Sequence, residues 1–265
     1  MAAEAFVDIH CHLLPGIDDG AKDLEESLAM ARLAVADGIS TIVCTPHQCG
    51  SYSANHSDAI RGAVAKLQDA LRRAQIPLEI FSGADVRIES DLIAELRSDQ
   101  ILSLADRGRH VLLELPHELY FPIENLQRSL KADGVTGILS HPERNQGILN
   151  QPNLVKPLVE QGVLMQLTAG SLVGTFGDKI QKLSEDLLCK GLIHFISTDA
   201  HSVHRRRPLL QRAYSRAVKL VGENMAIEIC CRNPLRVVQG EEVPDGIQTT
   251  SRGGFWNWLS RKSAA

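Results

Sequence analysis

The 265-residue chain has no surplus of positive charge: 28 Lys and Arg stand against 32 Asp and Glu, for a formal net charge of −4. Broad electrostatic binding to nucleic acid needs a basic face, so that class of function is set aside. Its six cysteines, at 11, 44, 49, 189, 230 and 231, include no CxxC pair and follow no regular spacing. This excludes a disulfide framework and predicts free thiols in a cytoplasmic protein, several of them acting as small hydrophobes in apolar runs. No window approaches the ~18 apolar residues of a membrane-spanning helix. The start "MAAEAF" has no basic stretch ahead of an apolar core, so no signal peptide is expected. No GxGxxG follows the first strand, against a dinucleotide-binding doubly wound sheet. Internal repeats and low-complexity tracts are also missing. What is there is ordinary globular composition, 44% hydrophobic and 23% charged, at a length that suits one large α/β domain.

Short β-rich runs alternate with helical patterns. The strand candidates are 6–10, 40–45, 78–85, 110–115, 135–141, 164–170 and 194–201. Helical stretches such as "LEESLAMARLAVADG" and "DKIQKLSEDLLCKG" lie between them, and many end in glycine, at Gly38, Gly162, Gly191 and Gly222. The apolar runs are nearly continuous, as in parallel strands buried on both faces. Seven β-then-α units predict a distorted TIM-like (β/α)7 barrel over residues 1–243. Residues 244–265 form a tail of different composition.

In such a barrel the chemistry gathers at the C-terminal ends of the strands. The first is "VDIHCHLLPGIDDG". Residues two apart on a strand share a face, so Asp8, His10 and His12 are expected to line up while Val7, Ile9 and Cys11 face away. Reading on gives Asp19, His47, Asp85, Glu114, His141, Asp199 and His201. Singly, each has a bland explanation. A lone HxH can be accidental, Asp18 or Asp19 can cap the helix that follows, and His47 can simply be exposed. Glu114, set between leucines, is costly to bury unless a cation meets it. Jointly, five of the ten histidines and four carboxylates fall at equivalent places, and that pattern predicts a metal centre. Nine ligands exceed the roughly four to six that one ion takes, so two or three ions are expected. Ligation by N and O without sulfur permits Mn, Fe, Co or Zn. Four carboxylates facing three divalent ions leave a net positive centre suited to a phosphate dianion. Arg144 in "SHPERN" and Arg206 in "HRRRP" are placed to grip its oxygens.

The segments "DIHCHLLPGIDDG", "TIVCTPH", "GADV", "LLEL", "ILSHPERN" and "ISTDAH" together resemble the polymerase and histidinol phosphatase (PHP) superfamily. The likeness is stronger to its tyrosine-protein phosphatases of capsular and exopolysaccharide biosynthesis, the CpsB/YwqE type, and runs from about residue 6 to 238. The resemblance implies a PHP-type barrel with a usually manganese-dependent centre. His10, His12, Asp85 and Asp199 would hold one ion. Asp85, Glu114 and His141 would hold a second, and Asp19, His47 and His201 a third. Arg144 and Arg206 match phosphate-binding arginines of the family, with Arg205 and Arg207 as neighbouring registers for the latter. It further implies hydrolysis of phosphotyrosine by metal-activated hydroxide, with a membrane-bound bacterial tyrosine autokinase as partner. One departure is Asp85, where the family carries the longer Glu. The alternative within the superfamily is another phosphoesterase, a histidinol-phosphate phosphatase or a phosphodiesterase.

Two features stand apart. "CCRNPLR" satisfies the C-x5-R count of cysteine-based tyrosine phosphatases from Cys230 to Arg236. Pro234 removes a donor from any phosphate-cradling loop, so the segment reads instead as a helix start with Asn233 at the N-cap. The tail stretch "GGFWNWLSRK" sets aromatic residues beside Arg261 and Lys262, a candidate peripheral contact to a membrane or partner kinase.

Overall fold

The computed structural model describes residues 4–244, so the tail stretch and its expected membrane or kinase contact lie outside the described residues. The strands, in chain order, are β1 (Phe6–Cys11), β2 (Ile39–Cys44), β3 (His47–Gln48), β4 (Glu79–Ser82), β5 (Asp85–Arg87), β6 (His110–Glu114), β7 (Thr136–Ser140), β8 (Leu164–Thr168) and β9 (Phe195–Ser197). They pair in two sheets, β1-β2-β4 and β3-β5-β6-β7-β8-β9, and every ladder is parallel. The expected strand 78–85 is split across both sheets, and the expected strand 40–45 is followed at once by a short unexpected strand of the other sheet. The run at 40–45 passes through Thr45-Pro46 into β3, and the run at 78–85 passes through Gly83-Ala84 into β5. The Pro46 carbonyl accepts from Asp85 N–H at 3.1 Å. The sheets also meet where β1 and β9 end. There Cys11 bridges Ala200, Asp199 N–H donates to His10 O at 2.7 Å, and His12 N–H donates to Ala200 O at 2.9 Å.

Apolar side chains form two clusters. The smaller joins Val7, Ile9 and Val43 of one sheet to Leu112, Ile138, Leu164 and Phe195 of the other, with Val237 and Val238 of the last helix beneath them. The larger lies under the remaining helices. Strict alternation along β1 fails at this point. Val7 and Ile9 join the smaller cluster but Cys11 joins the larger, because a register shift between Asp8 and Cys11 turns the strand.

The helix Leu24–Ala36 is capped by Asp23, whose side chain accepts from Glu26 N–H, so neither Asp18 nor Asp19 is a cap. Gly38, Gly162, Gly191 and Gly222 follow helix ends with φ between 69° and 97°, the left-handed region where glycine has no penalty. Several helices gave no clear pattern in the sequence, among them Leu92–Arg97 and Glu124–Ala132. The latter buries only Gln127 and Leu130, too few for a legible stripe. Asn233 is not an N-cap. It has helical dihedrals within a helical run from 223 to 239, and its amide donates to His194 O while its carbonyl accepts from Arg236.

Candidate metal centre

The C-terminal ends of the strands converge. β1 delivers His10, the residue just past its end His12, the loop that follows Asp19, β3 His47, β5 Asp85 and β6 Glu114. The segments following β7 and β9 deliver His141, Asp199 and His201. All nine expected residues fall into four overlapping groups whose ligand atoms lie within 4.8 Å of one another: His12-Asp19-His47-His201, His10-His12-Asp85, His10-His141-Asp199 and His47-Asp85-Glu114. Two of the nine hold positive φ without being glycine, His141 at 34° and Asp199 at 51°. Such strain persists where the surroundings over-determine it, and functional sites are where it clusters.

The spacing within these groups is informative. His10 Nε2 lies 3.3 Å from His12 Nε2, 3.3 Å from Asp199 Oδ1 and 3.5 Å from Asp85 Oδ2. His12 Nε2 lies 3.5 Å from Asp199 Oδ1, and His47 Nδ1 lies 3.4 Å from Asp85 Oδ2. Asp19 Oδ1 stands 3.5 Å from His47 Nε2 and 3.4 Å from His201 Nε2, while His141 Nε2 is 3.7 Å from Glu114 Oε1. Ligands held ~2.1 Å from an ion at tetrahedral angles sit ~3.4 Å apart, longer than most hydrogen bonds. Both oxygens of Asp85 and Nε2 of His201 are buried with no hydrogen-bond partner. Buried polar atoms left unpaired are costly, and here Asp85 Oδ2 faces His10 and His47, and His201 Nε2 faces Asp19, across gaps of ion-ligand width. The donor set fits divalent ions. The short Asp85 side chain still reaches between His10 and His47.

A layer of residues behind the candidate ligands aims them. Asp18 Oδ2 accepts the Nδ1 hydrogen of His12 at 2.7 Å and the His47 N–H at 3.1 Å. Gln166 Oε1 takes the Nδ1 hydrogen of His10 at 2.9 Å and the His141 N–H at 3.3 Å. With Nδ1 donating in both, Nε2 of His10 and Nε2 of His12 face each other, an arrangement that a cation displacing the His10 proton would satisfy. Asp8 faces Thr198 rather than the ligands, accepting its N–H at 3.1 Å, and so braces β1 against the end of β9. The turn after β7 is fixed twice. Buried Glu143 accepts from Thr168 N–H and Ser171 Oγ, and Asn145 donates to Pro116 O and Leu119 O. Sequence reasoning did not single out Gln166, Glu143 or Asn145. For Gln166 a signal existed, an amide in the middle of the apolar run "LMQLT".

The charges are uneven. Burial opposes a charged His10, but Asp199 and Asp85 outweigh it and lift the imidazole to about 9. His47 likewise rises to about 9, with Asp85 and Glu114 overcoming its burial. Burial, helped by the Asp85 charge, pushes Glu114 up to about 7. His141 and His201 go the other way, to about 3 and about 4, through burial together with Arg144 and His12 respectively. Of the three consecutive arginines, Arg206 is the one that turns inward. Its Nε donates to Asp199 O at 3.1 Å, and its guanidinium pairs with Asp199 Oδ2, as does that of Arg144. Asp199 thus turns one oxygen to the imidazoles and the other to both arginines. Arg144 also lies 4.6 Å over the Phe176 ring.

These groups surround a cavity of about 210 Å³ lined by Asp19, His47, Glu114, His141, Arg144 and Arg206 among others. Cys230 lies elsewhere, fully buried in the C-terminal helical run, and burial pushes its thiol well above the ordinary range. Arg236 is held by Glu228 and Asn233. The C-x5-R count therefore marks no nucleophile.

Comparison with known proteins gives a consistent picture. The profile of the family described as capsular polysaccharide synthesis, CpsB/CapC, matches residues 6–239. Tyrosine-protein phosphatase YwqE of Bacillus subtilis is 40% identical over 209 residues, covering 78% of this chain and 82% of that protein. Tyrosine-protein phosphatase CpsB of Streptococcus pneumoniae is 27% identical over 241 residues, covering 89% and 99%. A chain from the crystal structures of YwqE and CpsB, described there as unique metal-dependent tyrosine phosphatases, superposes with a TM-score of 0.86. It is 35% identical, with 91% of this chain and 99% of that chain covered.

Proposed function

The chain belongs to the CpsB/CapC family of capsular polysaccharide synthesis, and on that premise we propose that it is a metal-dependent protein-tyrosine phosphatase working at the cavity where the nine ligands meet. The observation that carries this reading is the buried Asp85 carboxylate without a hydrogen-bond partner, facing imidazole nitrogens at 3.4 and 3.5 Å. Two or three Mn²⁺ ions would be held within the overlapping groups His12-Asp19-His47-His201, His10-His12-Asp85, His10-His141-Asp199 and His47-Asp85-Glu114. These set His141 with His10 and Asp199, and His47 also with Asp85 and Glu114, where the resemblance implied otherwise. When bound, such ions supply an activated water at neutral pH and positive charge for the phosphoryl oxygens. The two sheets would act as a distorted (β/α)7 barrel that carries the ligands on one rim.

The chain's own groups do the remaining work. Arg144 and Arg206 keep guanidinium donors free beyond their pairing with Asp199 and would bind the equatorial phosphoryl oxygens. The Tyr52 ring, stacked on His47 at 5.3 Å, lines a neighbouring depression that shares His47 and Glu114 with the cavity and would guide the substrate's phenyl ring. The leaving phenolate has a conjugate-acid pKa near ~10, so it departs without strong need of a general acid. A serine alkoxide is far more basic, which favours phosphotyrosine over phosphoserine. Among the described residues no helix is long and apolar enough to cross a membrane. A cytoplasmic enzyme acting on a membrane-bound tyrosine autokinase fits that finding and the family's role.

Turnover of p-nitrophenyl phosphate and of phosphotyrosine peptides, with histidinol phosphate for comparison, tests the reading. Mn²⁺-loaded protein should hydrolyse the first two, lose activity to a chelator, and keep it in Cys230→Ser. Turnover of histidinol phosphate alone would shift the assignment to another phosphoesterase of the superfamily.

A further inference from the structure

Two depressions continue from the metal cavity across the protein surface. The first, of about 160 Å³, shares Arg206 with that cavity and is walled by Thr168, Phe176, Arg205, Arg207 and Arg212. The second, of about 550 Å³, shares Val173 and Arg212 with the first and runs on past Arg216 to Lys219. The path therefore leads from the phosphate-gripping arginine, beside helix Ala169–Leu172, along helix Gln211–Val221. No Asp or Glu lines either depression. Arg206 and Arg216 have carboxylate partners, Asp199 and Glu185. Arg205, Arg207, Arg212 and Lys219 have no ion pair among the described residues, although the chain as a whole is acidic. The Thr168 hydroxyl, buried in the wall, has no hydrogen-bond partner. Cations gathered without counter-charge repel one another and attract anionic ligands into the groove they line.

We propose that this path binds an acidic stretch of polypeptide flanking the phosphotyrosine, so that the enzyme selects sites with anionic groups beside the target residue. The inference rests on the phosphatase reading, because it runs the substrate chain outward from the metal cavity. Continuity with that cavity through Arg206 favours a peptide attached to the reacting group over a separate polyanion. The anionic oxygens can be Asp or Glu carboxylates or those of a second phosphotyrosine, since guanidinium forks accept both.

The experiment compares kcat/KM of the Mn²⁺-loaded enzyme for phosphotyrosine peptides with neutral flanks, Asp/Glu flanks, Lys flanks and a second phosphotyrosine, at low and high salt. With two or three exposed ion pairs contributing, the acidic peptides should exceed the neutral one about tenfold, and salt should shrink the ratio. The variant R212E/K219E should lose that preference or turn it towards the Lys-flanked peptide, a gain that a damaged fold would not produce. Whichever acidic peptide gains more identifies the anion. Anisotropy of a fluorescent acidic peptide reads the same path on protein that fails to turn over p-nitrophenyl phosphate, so the two readings fail separately. Equal kcat/KM for acidic and neutral flanks, or a preference unmoved by salt and by R212E/K219E, would overturn the inference. So would inhibition by a polyanionic polysaccharide in the absence of any peptide preference.

Discussion

His12 is held from behind by Asp18, whose carboxylate takes the Nδ1 hydrogen and leaves Nε2 among the other ligand atoms. Partners of this kind set the tautomer and basicity of a ligand, and losing one typically costs 10–100-fold in metal affinity. Asp18→Asn should therefore raise the Mn²⁺ concentration for half-maximal activity by roughly that factor, with turnover largely restored at saturating Mn²⁺ and an unchanged circular dichroism spectrum. Protons compete at the same atoms. His10 and His47 titrate at about 9 in the metal-free protein, so below that pH an ion must displace a proton to bind. Apparent Mn²⁺ affinity should then rise as pH increases from 6.5 towards 9, and loading at pH 7.5 should release protons that an indicator dye can count. The convergence of these side chains was legible because imidazoles and carboxylates recur at strand ends, where nothing structural requires them. Asp18 was not, because an acidic residue ahead of a helix is equally well explained as a cap until Asp23 is seen in that role.

The short turn from His141 to Asn145 places one ligand and one arginine, and Asn145 ties it down. Its carbonyl caps helix Gln146–Asn150 and its amide satisfies two backbone carbonyls. Asn145→Ala removes a cap worth about 1 kcal/mol and the two hydrogen bonds to the Pro116 and Leu119 carbonyls, together worth about 1–3 kcal/mol. A loss of roughly 2–4 kcal/mol in denaturant unfolding is expected, with a fall in kcat as Arg144 loses its placement. Seven of the strands could be read from continuous apolar runs, and the larger helices from their stripes and closing glycines. The breaks that send β2 into β3 and β4 into β5 could not be read. Each is two residues long and depends on which neighbouring strand takes over the hydrogen bonds, information held by the partner and not by the segment. The turn of β1 at its register shift, which parts Cys11 from Val7 and Ile9, is hidden for the same reason.

Across the whole molecule, the candidate ligand set reaches from residue 10 to residue 201 and draws on both sheets, so bound ions would add to the packing and backbone hydrogen bonds that already join those segments. Ligands that bind only the folded state stabilise it by about 2.7 kcal/mol at a hundredfold excess over Kd. For a domain of this size that corresponds to roughly 5–10 °C, so Mn²⁺ should raise the unfolding temperature by that amount relative to chelator-treated protein. The succession of parallel strands and the rim on which the candidate ligands collect were visible in the sequence, because parallel β/α units leave few arrangements. The pairing of ligands into groups was not, since it depends on side-chain directions that spacing along the chain does not carry. The direct test is elemental analysis of purified, Mn²⁺-reconstituted protein beside Asp85→Ala, each assayed with a phosphotyrosine peptide. Two to three equivalents of metal in the wild-type protein, with fewer equivalents and lost turnover in Asp85→Ala, is the predicted result. Less than one equivalent in the wild-type protein, with turnover that survives a chelator, would contradict the account.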